Sequence, residues 1–231
     1  MKLIYFDFED SFSWNIVKYL EEFFKEVEVV PLVKFPSKAK EIQRESGKGN
    51  GKEKEKENGE DNHSLPQVFV FGPGPKRPSD YKNLLPLIKS EIKKKKNFLV
   101  GICLGHQALM QSCGFTLGYS QFPSHGIQVS LAVNEEWKKL LGISQNTIDV
   151  QRYNSLCVRE DKNLQKINDY KILLDEHNEI MIFHARNILS FQFHPESIGT
   201  KNPEYFFASI ERLARIQGKK GKNGPWKENY V

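Results

Sequence analysis

The sequence predicts an α/β protein built on a mostly parallel open sheet covered by helices, with a strand-rich C-terminal half. Two observations carry that reading. Short apolar runs rich in β-branched and aromatic residues alternate with longer amphipathic stretches, and from about Phe115 onward helical spacing gives way to strands and hairpin-like pieces. The 231 residues fit one domain without requiring a second.

Leu3 to Phe6 read as a buried strand. Asp10 or Ser11 then caps a helix on which Phe12, Ile16, Val17, Leu20 and Phe24 recur at helical spacing. Val27 to Val30 supply the next strand, followed by a short helix capped by Ser37. Val68 to Phe71 and Phe98 to Ile102 give two more strands, with Ser79 the N-cap of the helix between them. Leu104 to Cys113 form a helix that Gly114 can end in a left-handed conformation. Strands are expected at Ile127 to Val133, Ile148 to Tyr153, Lys171 to Leu174, Ile180 to His184 and Ile188 to Phe193. A last helix, about Pro203 to Gln217, carries Phe206, Phe207, Ile210, Leu213 and Ala214 on one face, with Pro203 in its first turn.

The domain is read as residues 1–218, followed by a flexible basic tail at 219–231. Within it, residues 46–64 hold the run GKGNGKEKEKENGEDNH, which has no aliphatic or aromatic side chain to anchor it, and are expected to be a disordered insertion. Its Lys and Glu nearly cancel, which argues against a charged partner.

The net charge of +5 would suit a polyanion only if the basic residues clustered on one face. They do not. Lys93 to Lys96 end a helix, where cations complement the dipole, and Lys219, Lys220 and Lys222 lie in the tail, so nucleic acid is not expected as a partner. No apolar run approaches the roughly 20 residues needed to cross a bilayer. Asp7, Glu9 and Asp10 interrupt the stretch that a signal peptide would need, so no membrane role and a cytoplasmic location are expected. Three cysteines without paired spacing argue against a disulfide framework or a zinc site.

Chemistry concentrates around Cys103. The stretch FLVGICLGHQALM is a strand, a Gly101-Ile102-Cys103-Leu104-Gly105 turn, and a helix, which is the glycine, nucleophile, glycine pattern of a nucleophile elbow. Such a turn strains the nucleophile's backbone and crowds the positions two residues away, so glycine is favoured there. The sulfur then sits at a helix N-terminus, where about half a positive charge and free N–H groups favour a thiolate and receive an oxyanion. An ordinary thiol, with a pKa of about 8.5, is only a few per cent ionised at neutral pH, so the site needs a base. Taken alone, Cys103 also fits a small buried residue at a strand end. Cys113 and Cys157 lack flanking glycines and read as inert.

The candidate base is His194, in ILSFQFHPESI. On an extended strand Gln192, His194 and Glu196 share one face, so Glu196 can fix the imidazole tautomer and stabilise its protonated form. Pro195 ends the ladder and should leave the pair at the open edge of the sheet. A third element, FGPGPKRPSD from Phe71, is a turn in which Gly72 and Gly74 let the backbone approach a ligand and the prolines stiffen it.

Together with DFEDSFSWN, His125-Gly126 and RYNSL, the stretches FGPGP, GICLGHQAL and FQFHPESI resemble the class I glutamine amidotransferases. Within that family the likeness is to the amidase subunits (component II) of anthranilate synthase and aminodeoxychorismate synthase, and it covers nearly the whole chain. It implies a Cys103, His194 and Glu196 triad, with Gly72, Pro73, Gly74, Leu104, Gln107, Ser155 and Leu156 contacting glutamine. It calls for no cofactor and no metal. It further implies hydrolysis of glutamine and delivery of ammonia to a separate chorismate-binding synthase subunit in a hetero-oligomer, on either the tryptophan or the folate branch. His106 belongs to the signature without being its base, and Asp10 and Ser11 resemble a signature near the cleft.

Two departures stand out. Phe71, rather than the family's Ser-Pro, precedes Gly72, and Pro75, Lys76 and Arg77 lengthen the turn. Ile127 follows His125-Gly126 where many relatives carry Lys. The alternatives are a stand-alone γ-glutamyl hydrolase, an amidase for another synthase and, outside enzymes, an inactive glutamine-binding regulatory module.

Overall fold

The computed structural model describes residues 1–47, 66–160 and 169–220. Its first half alternates strand and helix as expected: β1 (Lys2–Asp7), α1 (Ser13–Phe23), β2 (Glu26–Pro31), α2 (Phe35–Gly47), β3 (Val68–Phe71), α3 (Leu84–Lys94), β4 (Phe98–Ile102) and α4 (Leu104–Ser112). There follow β5 (Thr116–Tyr119), β6 (Ile127–Ala132), α5 (Glu135–Leu141), β7 (Thr147–Arg152), β8 (Leu156–Arg159), β9 (Tyr170–Leu174), β10 (Ile180–Ala185), β11 (Ile188–Phe191) and α6 (Glu204–Lys220).

Among the described residues, seven strands form the main sheet in the order β2-β1-β3-β4-β11-β10-β9. The pairings from β2 through β11 are parallel, and β10 and β9 add an antiparallel flank. Period-two alternation divides the apolar residues of β1 between two layers. Leu3 and Tyr5 join Ile16 and Leu20 of α1, Trp137 and Leu140 of α5 and Phe206 and Ile210 of α6. Ile4 and Phe6 join Phe35 and Ile42 of α2, Leu87 and Ile88 of α3 and Leu109 of α4. The sheet is therefore covered on both faces, with the ends of β1, β3, β4 and β11 left to carry a site.

Several sequence expectations are corrected. Asp10 accepts the Phe12 N–H at 2.9 Å in the turn ahead of α1, and Phe12, which holds the capping position before Ser13, offers no side-chain cap. Ser37 lies inside α2, with its hydroxyl donating to the Lys34 carbonyl. Ser79 belongs to a short 3-10 turn, Pro78–Asp80, and α3 begins after Asn83 in a left-handed conformation. Three elements were not anticipated: β5, β8 and α5. The last had a readable signal, since Asn134 caps it by accepting the Trp137 N–H at 3.0 Å and Gly142, at φ +74°, ends it. The final strand stops at Phe191 rather than Phe193. Helices α2 and α6 run into the segments expected to be an insertion and a tail, to Gly47 and Lys220; the rest of both lies outside the described residues.

Candidate active site

Cys103 joins β4 to α4 at φ 52° and ψ −101°, outside the regions that L-residues ordinarily occupy. Strain of this kind costs about 1 to 3 kcal/mol and persists only where the surroundings fix it. Here the Cys103 N–H donates to the Phe191 carbonyl at 2.8 Å, and its own carbonyl accepts the Gln107 N–H at 3.1 Å. The flanking glycines permit the bend. A β-carbon on Gly101 would come within 2.5 Å of the Gly105 backbone, and one on Gly105 would overlap the Phe71 carbonyl.

His194 and Glu196 do meet, though not on a strand. Past β11 the chain turns: the His194 N–H bonds the Gln151 carbonyl at 3.0 Å, while the His194 carbonyl accepts from Ser197 N–H and from the Thr200 hydroxyl. The turn folds Glu196 back so that its Oε1 lies 2.6 Å from His194 Nδ1. Because β11 is an interior strand, the pair is buried at the strand end and not at an open sheet edge, as Pro195 had suggested. With Nδ1 engaged by Glu196, the other ring nitrogen is left free to serve Cys103, which is near enough to act on the imidazole's charge. Burial pushes the His194 pKa down. The charges of Glu196 and Cys103 and their hydrogen bonds outweigh it and hold the imidazole well above its ordinary value. The rings of Phe12 and Tyr153 close on His194 edge-on, at centroid distances of 5.7 and 5.0 Å.

Gly72 and Gly74 serve close approach, and neither adopts a positive φ. A side chain on Gly72 would strike the Tyr5 hydroxyl and the Phe6 carbonyl; one on Gly74 would strike Leu104, Phe8 and Tyr81. The turn, including buried Pro73, is thereby packed onto the start of α4. Beneath it lies a chain that sequence reasoning missed. Tyr5 donates to Ser13 Oγ at 3.1 Å, and Ser13 donates to Asp7 at 2.6 Å. Burial first, and the nearby carboxylates after it, keep the Tyr5 hydroxyl protonated. The apolar reading of Leu3 to Phe6 had hidden that polar end.

Gln107 is buried, its amide donating to the Leu156 carbonyl at 3.1 Å and to Gln192 at 3.2 Å. Leu156 opens β8, and Ser155 just before it is exposed. His106 bonds Ser190 at 2.9 Å, and full burial pushes its pKa down to about 3, so it acts as neutral packing. Burial pushes the thiols of Cys113 and Cys157 up to about 12, against nucleophilic use.

A thiol on a strained elbow, beside an imidazole that a buried carboxylate orients, has the parts needed for acyl transfer from an amide or ester. The chain matches the family model "Glutamine amidotransferase class-I" over residues 4–213, and it belongs to that family of enzymes. It is 33% identical over 204 residues to "Anthranilate synthase component 2" of Helicobacter pylori strain 26695, covering 87% of this chain and 91% of that one. A Methanocaldococcus jannaschii protein of the same name is 28% identical over 210 residues, covering 90% and 91%. The fold resembles that of a Thermoplasma acidophilum protein assigned to GMP synthase, with TM-score 0.69, 18% identity and coverage of 96% and 98%. Among the described residues, no helix is long and apolar enough to cross a membrane.

Proposed function

We propose that this chain is the amidase subunit of a chorismate-using synthase, opening the side-chain amide of glutamine and delivering the ammonia to a chorismate-binding subunit. The observation that carries the chemistry is the buried 2.6 Å His194–Glu196 contact, set beside the strained elbow that carries Cys103. The Cys103 thiolate attacks the amide carbon, and the N–H groups of Leu104 and Gly74 receive the oxyanion, since in the turn the Gly72 N–H is taken by the Phe6 carbonyl at 3.0 Å and Pro73 has none. His194 passes its proton to departing ammonia, then takes one from the water that hydrolyses the γ-glutamyl thioester. Gln107, Ser155 and Leu156 hold the substrate's amino-acid end. No step needs a cofactor or a metal. Thiolate chemistry of this sort suits the reducing cytoplasm.

The names of the relatives favour anthranilate synthase, and hence the tryptophan branch, as the destination of the ammonia. The test is glutaminase kcat for the chain alone, with saturating chorismate-binding subunit, and with that subunit plus chorismate. Turnover should rise with the partner. Equal turnover in all three states would favour a stand-alone γ-glutamyl hydrolase.

A further inference from the structure

Strand β8 pairs with β5 in a register that sets Tyr119 opposite Leu156. The Ser120 N–H donates to the Ser155 carbonyl at 2.9 Å, so Tyr119 and Leu156 form a pair of the non-hydrogen-bonded kind. The N–H and C=O of Leu156 therefore turn away from β5. They turn toward α4, because the Leu156 carbonyl accepts from Gln107 at 3.1 Å and from Asn154 at 2.9 Å. Its N–H faces the same side, which is the side of the elbow.

Asn154 is itself held. Its side-chain oxygen accepts from Arg152 Nε at 3.1 Å, and its backbone carbonyl accepts the Ser124 N–H at 3.0 Å. Arg152 is buried, with Nη1 on Asp175 at 2.6 Å and Nη2 on Glu179 at 2.5 Å. The second oxygen of Glu179 accepts the Ser120 hydroxyl at 2.7 Å and Arg159 at 3.3 Å. One charged cluster thus grips the Ser155–Leu156 segment twice, through Ser120 just past β5 and through Asn154 just ahead of β8. Buried ion clusters are weak devices for stability, since apolar packing of equal volume does as well, so this one is better explained by the orientation it imposes.

We propose that Arg152 is a positioning residue for glutamine: fixed by Asp175 and Glu179, it orients Asn154, which with Gln107 pins the Leu156 carbonyl and presents the Leu156 N–H to the substrate's α-carboxylate. This rests on the proposed function, in which Ser155 and Leu156 contact glutamine.

The decisive variant is Asn154→Asp. It keeps the shape of the side chain and its contact with Arg152, but replaces the donor to the Leu156 carbonyl with a repelling oxygen. Glutaminase kcat and KM are measured on the full chain with its chorismate-binding partner, together with the rate at which iodoacetamide modifies Cys103. KM should rise roughly tenfold, while kcat at saturation and the alkylation rate stay within about twofold. Arg152→Lys, which keeps the charge but not the planar fork, should shift KM in the same direction; if it fails to fold, the Asn154→Asp result decides. An unchanged KM in folded Asn154→Asp, or a fall in kcat without a change in KM, overturns the role of Arg152. In the unaltered protein, alkylation of Cys103 should abolish turnover of glutamine; activity that survives it overturns the site assignment, and this proposal with it.

Discussion

Gly105 lies so close under the carbonyl of Phe71 that the two residues exclude any side chain between the elbow and the adjoining strand β3. Backbone cannot yield there as a flexible side chain could. Gly105→Ala should destabilise the protein by about 2 to 4 kcal/mol, and a urea denaturation curve reads the change directly. A midpoint equal to that of the unaltered chain would show that the elbow relaxes freely.

Glu196→Gln keeps the shape of the residue that touches His194 and removes its charge. The largest influence holding the imidazole pKa up is then gone while burial still pushes it down, so the pKa falls and less of the protonated form that stabilises the Cys103 thiolate remains. Glutamine turnover should drop by roughly a hundredfold or more, with little change in the melting temperature. Retention of most of the kcat would mean that Glu196 is only a packing partner.

The glycines of the Gly72-Pro73-Gly74 turn make a graded test. Gly74→Ala must displace Leu104, Phe8 or the Tyr81 hydroxyl, and so shift the turn against α4. Its kcat should fall by about tenfold to a hundredfold. Gly118, in β5, meets nothing within 4 Å at the same virtual position, so Gly118→Ala should change stability by no more than about 0.5 kcal/mol. Steady-state kinetics on both variants, with urea midpoints beside them, separates turn displacement from general damage.

The local signals at Cys103 were legible because the physics there is local: a strand, a turn that tolerates no side chain, and a helix all lie within a few residues. The His194–Glu196 contact was reached by a wrong route. Period-two alternation brought the two residues to one face, whereas the structure joins them through a turn whose bonds come from Gln151 and Thr200, the first of them far away in sequence. Strands β5 and β8 escaped notice because Thr116–Tyr119 and Leu156–Arg159 are short and mixed in polarity, and only their mutual pairing makes them strands. The Arg152 cluster was invisible for the same reason, since Asp175 and Glu179 reach it from another hairpin.

Acid stability gives a test away from the site. Burial, with the Lys171 charge added, pushes the His184 pKa down to about 4. An unfolded histidine takes up its proton near pH 6.5, so between about 6.5 and 4 the unfolded chain binds more protons, and stability falls as the pH falls. That contribution is fully present above pH 6.5. His184→Leu should reduce the loss of unfolding free energy between pH 7 and pH 4.5 by about 1 to 3 kcal/mol. Identical losses in the two proteins would show that His184 takes up its proton in the native state at its ordinary pKa.

As the proposed nucleophile, Cys103 is needed to release ammonia from glutamine and for nothing that follows. Cys103→Ser, combined with the chorismate-binding subunit, separates the two steps, because free ammonia bypasses amide cleavage. Product formation from chorismate is measured once with glutamine and once with an ammonium salt as the nitrogen source. Glutamine should support no more than a trace of product, while ammonium should support the rate of the unaltered complex. Substantial glutamine-dependent synthesis by the mutant would show that Cys103 is not the nucleophile.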